Sequence, residues 1–108
     1  MSTQDVFLNM AGGIRVEDPA IDLAICISII SSLEEIAISD KVCFAAEIGL
    51  GGELRAVNRI DQRISEAEKL GFDEIYISKF NQKSAGSRSK IKIKYFGKLA
   101  EVFEDLFG

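Results

Sequence analysis

The chain is 108 residues long, with 13 Lys and Arg against 17 Asp and Glu, 47% hydrophobic residues and a single proline. That length reads as one domain, 1–108, which buries roughly 65% of its unfolded surface; such a core needs no metal or disulfide staple, and the apolar content excludes a disordered chain. The absence of histidine excludes Ser-His-Asp and Cys-His catalysis and the commonest transition-metal ligand, so hydrolytic chemistry would need a Ser-Lys pair or two carboxylates.

Residues 5–11 (DVFLNMA) are apolar-rich and closed by Gly12-Gly13, which predicts a strand running into a turn, and residues 14–16 alternate as a short extended piece. Asp18-Pro19 is a helix-start signal: an Asp that can cap free amide groups, a Pro whose φ is already helical, and Glu17 and Asp22 near the positive end of the dipole. Capping accounts for these three carboxylates without a bound cation. The helix should run to about Leu33, and its apolar residues surround the axis, which predicts burial on nearly all sides, in a core or against another subunit. Its interruption by Asp22 and three serines, its length, and the lack of a basic segment before it exclude a membrane span and a signal peptide.

Residues 42–48 (VCFAAEI) predict a strand, Gly49-Leu50-Gly51-Gly52 a turn, and residues 53–57 the second arm of a hairpin. These glycines lie between extended pieces, where a phosphate-cradling loop would open a helix, so no nucleotide site is expected. Asn58, with Asp61 three residues on, resembles a capping box opening a second helix whose Ile60, Ile64, Ala67 and Leu70 share a face. Gly71 should end it, with Phe72 folding back on the last turn. Residues 74–78 predict a strand, residues 81–89 a polar mobile loop, residues 91–95 a half-exposed strand, and residues 98–107 an amphipathic helix. Cys26 and Cys43 lie in apolar runs without zinc-site spacing, which predicts buried free thiols in a reducing compartment, a disulfide being the alternative.

Residues 79–98 carry seven cations and no carboxylate, inside a chain that is otherwise strongly acidic. Arg88, Lys90, Lys92 and Lys94, at every second position, would share one face of an extended segment and are the candidate DNA contacts. Lysines that guard an edge strand against aggregation are the other reading of that pattern, and a sequence pI near 4.8 weighs against strong independent DNA binding. Arg59 and Arg63, one helical turn apart, are candidate subunit-interface residues.

The run FLNMAGGIRVEDPAIDLAICISIISS, followed by FAAEIGLGGELRAVNRIDQRISEAEKLGF and the VFEDLF ending, resembles the C-terminal domain of the bacterial RadA (Sms) family of DNA-repair proteins. The resemblance implies an α+β fold, two-layered, of the ribosomal protein S5 domain 2-like type shared with the proteolytic domain of Lon. It implies that this chain is the last module of a cytoplasmic recombination ATPase, with the zinc finger and RecA-like motor, and hence zinc, ATP and magnesium, outside it and no cofactor within it. The family's partners would be further copies in a hexameric ring and DNA, chiefly single-stranded or branched. Where Lon-type proteases place their nucleophilic serine this chain has Ala20, and where they place their lysine it has Asp61. A methyl group cannot attack a carbonyl and a carboxylate cannot replace the lysine, so the resemblance implies a non-catalytic scaffold that makes subunit and auxiliary DNA contacts. The alternative, a Lon-like Ser-Lys peptidase, lacks both dyad residues. An RNA- or ribosome-associated S5-like module is a third reading, poorly supported by an acidic chain.

Overall fold

The computed structural model describes residues 18–82 and 90–108. The strand expected at 5–11, the piece at 14–16, Glu17, Arg88 and most of the polar loop lie outside the described residues. Asp18 caps a 3-10 turn, Pro19–Ile21, by accepting the Ala20 N–H at 3.0 Å, and α1 (Asp22–Glu34) follows. Proline supplies the helical φ there and lacks the N–H that a first-turn position would leave unsatisfied. The helix ends on Glu35 in a left-handed conformation.

The strand expected at 42–48 is two strands, β1 (Val42–Ala45) and β2 (Glu47–Ile48). The break falls at Ala46 because its N–H donates to the Ala20 carbonyl and its carbonyl accepts the Leu23 N–H, which ties this residue to the start of α1. The hairpin is present: β2 pairs antiparallel with β3 (Leu54–Arg55) across the glycine turn, where Gly52 has φ +83°. β3 then docks on the end of the sheet, as the Leu54 N–H donates to Gly97 and the Leu99 N–H to Gly52.

Helix α2 (Ile60–Lys69) starts differently from the expected capping box. Arg59 at the cap is left-handed at φ 56° and makes no side-chain cap bond, while Asn58 accepts from Arg63. Ile60, Ile64 and Ala67 are buried as expected, but Leu70, beyond the last turn, is exposed. Gly71 takes φ +91° and the Phe72 N–H reaches back to the Ala67 carbonyl, as the glycine stop requires. β4 (Glu74–Ser78) pairs parallel with β1 on one side and with β5 (Lys92–Phe96) on the other, giving the order β1-β4-β5. The chain closes with α3 (Leu99–Phe107).

The mixed α+β class is as expected, but helices cover both faces of the parallel sheet where two layers were anticipated. Leu23, Ala24 and Ile27 of α1 and Val102 of α3 meet Val42, Phe44 and Tyr76 on one face. Ile60, Ile64 and Ala67 of α2 meet Cys43, Ala45, Ile75 and Ile77 on the other. β1 is buried at every position, which is how a parallel strand covered on both faces reads in sequence. Within the chain the first helix is not the all-round-buried central helix: Ile29 is 47% and Leu33 72% exposed, because only the Leu23, Ala24, Ile27 and Ser28 side faces the sheet.

Candidate functional site

Ala20 and Asp61, the positions that the resemblance sets against a Ser-Lys dyad, lie at the start of the first helical segment and the start of α2, and the Asp18–Arg63 pair joins these segments. Ala20 is buried, with its carbonyl accepting from Ala46. Asp18, two residues before it, accepts from both Arg63 terminal nitrogens, Nη1 to Oδ2 at 3.1 Å and Nη2 to Oδ1 at 3.2 Å. Arg63 Nε also donates to the Asn58 carbonyl, and Nη2 to the Asn58 side chain. A two-pronged ion pair with most of both side chains out of water therefore ties α2 to the turn that holds Ala20. Asp61 itself is exposed and lines an open depression with Gln62, Ser65, Glu66 and Lys69. Arg63, a candidate interface residue, is engaged inside its own chain; Arg59 is exposed.

Of the candidate DNA contacts, Lys90 and Lys92 are exposed and Lys94 is not free. Its ammonium donates to Asp105 at 3.0 Å, lies 3.7 Å from Glu74, and sits 5.2 Å from the centre of the Tyr76 ring. The Tyr76 hydroxyl donates to the same Asp105 oxygen at 2.6 Å. Burial, and then the Asp105 carboxylate, push the Tyr76 phenol up to about 12, while the tyrosine and lysine donors hold the Asp105 carboxyl below its usual range. The hydrogen bond to Asp105 raises the Lys94 ammonium. This cluster fastens α3 to β4 and β5. Strand β5 begins at Lys92, so Lys92 and Lys94 alternate within it while Lys90 precedes it, and Lys94 meets α3.

Sequence reasoning passed over the far end of these strands. Residues 79–81 form a 3-10 turn that takes in Asn81, the first residue of the expected 81–89 loop, and Asn81 is buried, its side chain accepting the Val57 N–H at 2.9 Å and donating to the Val57 carbonyl at 3.0 Å. Buried Ser78 accepts the Phe80 N–H and donates to the Leu54 carbonyl. Between these anchors Phe80 stands 64% exposed, with the Lys79 ammonium 5.4 Å from its ring centre. The available signal was an aromatic residue inside an otherwise polar run, SKFNQK.

Both cysteines are free, Cys43 buried and Cys26 half-buried. Among the described residues no cluster of three or more His, Cys, Asp or Glu could hold a metal ion, and no helix is long and apolar enough to cross a membrane.

Residues 1–81 match the family model described as subunit ChlI of Mg-chelatase. DNA repair protein RadA of Streptococcus pneumoniae is 40% identical over 107 residues, 99% of this chain, and that of Bacillus subtilis is 40% identical over 108 residues. The Listeria monocytogenes RadA is 45% identical over 82 residues, 76% of this chain and 18% of its own length. The chain spans about a quarter of the length of the first two relatives, 26% and 24%. It therefore belongs to the family that the ChlI model describes, and along nearly all of its length it is similar to the C-terminal part of the DNA-repair protein RadA.

Proposed function

We propose that this chain is a non-catalytic scaffold and oligomerisation domain, with auxiliary DNA contact, of a RadA-type recombination ATPase. In that role it serves a cytoplasmic protein that assembles as a hexameric ring and acts on single-stranded or branched DNA, with nucleotide and metals bound outside this domain. The similarity to DNA repair proteins supports the repair setting. The observation that carries the non-catalytic reading is the Asp18–Arg63 ion pair beside buried Ala20, where a Lon-like peptidase needs a serine hydroxyl and an amine. On α1, Ser28 is buried within the helix, the Ser31 hydroxyl donates to the Ile36 carbonyl, and the helix carries no lysine to serve as a base. The exposed Lys90 and Lys92 support the DNA contact, and exposed Arg59 a subunit contact.

Two measurements on the purified chain test this reading. Incubation with fluorescently labelled unfolded casein is expected to release no peptide; hydrolysis that a serine substitution abolishes would restore the peptidase. Light scattering across protein concentration, with and without single-stranded DNA, is expected to show self-association. A strict monomer at every concentration would remove oligomerisation from its role.

A further inference from the structure

Phe80 combines three features that a stray surface phenylalanine lacks. Its backbone is fixed: buried Ser78 holds the Phe80 N–H and buried Asn81 clamps the following residue to Val57, so the ring is presented by a rigid turn. Its position is the carboxyl end of parallel strands, where Ser78 lies beside Phe96 and the chain leaves β4 and β5 for a turn and a helix. Open parallel sheets characteristically place ligands at this end.

The third feature is charge. The Lys79 stem lies across Gly97 so closely that a Cβ there would stand 3.0 to 3.3 Å from Lys79 carbon and nitrogen atoms. Lys79 and exposed Lys98 both act on Glu101, whose carboxylate is already held by the Gly97 and Lys98 N–H groups, and Lys79 is the cation set beside the ring. A polyanion with aromatic faces fits a ring with a cation beside it, since bases stack on aromatic side chains while a lysine takes a phosphate.

We infer that Phe80, with Lys79 beside its ring at the carboxyl ends of β4 and β5, is a stacking platform for an unpaired base of single-stranded DNA. The inference rests on the DNA-contact reading above and assigns a contact separate from Lys90 and Lys92, which lie at the opposite end of β5. Duplex DNA, whose bases are already stacked, gains nothing from the ring.

The chain contains no tryptophan, so Phe80→Trp installs a sole indole at the platform. Titrating that variant with oligothymidylate at low salt is expected to quench its emission. Phe80→Ala is expected to weaken oligothymidylate binding by about tenfold while leaving duplex affinity unchanged. Lys90→Glu with Lys92→Glu serves as the comparison, expected to weaken both. DNA binding that depends on Lys90 and Lys92 but ignores Phe80, with no quenching, overturns the platform and leaves the DNA reading standing. No binding of either DNA by the unaltered chain sinks both. Loss of self-association in Phe80→Ala with DNA affinity intact makes the ring a subunit contact and equally overturns the platform.

Discussion

The Asp18–Arg63 pair shows one residue acting twice. The Asp18 carboxylate caps the turn that starts the first helix and receives the Arg63 guanidinium from a second helix. With side chains only 17% and 19% exposed, the pair is shielded from the screening that makes surface ion pairs weak. Removing the arginine strands a partly buried carboxylate, so Arg63→Ala is expected to cost about 2 kcal/mol in urea melts. A double-mutant cycle with Asp18→Ala should return a coupling of about 1 kcal/mol; additive losses would mean the contact contributes nothing beyond its parts. Asp18 was legible in the sequence as a cap, because capping is local. Its arginine partner lies 45 residues away, and no spacing rule reaches that far.

At the scale of elements, chain stops were the most readable feature. Gly71 reads as a helix stop because a residue without Cβ enters the left-handed region freely, and it does so at φ +91°. Nothing stands within 4 Å of where its Cβ would be, so Gly71→Ala tests backbone strain alone. The expected loss is about 1 kcal/mol, read from the thermal midpoint, and an unchanged midpoint would show that the turn relaxes. The start of α2 was harder to read. Asn58 and Asp61 have capping-box spacing, yet the Asn58 side chain serves Arg63 and the left-handed Arg59 occupies the cap. The same limit applies to α1, whose apolar residues surround its axis: composition alone does not say which face the sheet covers.

For the whole molecule, the sheet separates two apolar layers, and the cysteines report on them differently. Cys43 lies inside, where burial pushes its thiol up to about 12 from an ordinary 9.0; half-buried Cys26 is raised by burial and then by Asp22. A thiol-specific chromogenic reagent at neutral pH should therefore modify Cys26 first, and Cys43 only as the molecule unfolds; simultaneous modification would contradict the layered core. Alkaline pH should loosen the fold. Folded Cys43 and Tyr76 hold their protons to about 12, whereas the unfolded groups ionise from 9.0 and 10.0. Stability is then full below about pH 9 and falls as pH rises toward 12, a decline that denaturant midpoints would record and that Cys43→Ala should flatten.

By itself the sequence determined the hairpin across the glycine turn, the glycine helix stop and the lack of histidine chemistry. Each depends on neighbours within a few positions or on composition. Only the tertiary structure decided that helices cover both sheet faces, that Arg63 closes on Asp18, that Lys94 is taken up by Asp105 and Glu74, and that Phe80 is held out on a rigid turn. These outcomes depend on which distant residues the parallel sheet brings together: β4 and β5, joined in register from Glu74–Lys92 to Ser78–Phe96, set Lys94 beside Tyr76 and deliver Phe80 and Gly97 to one end. Local rules assign a residue its conformation, but only packing assigns it a partner.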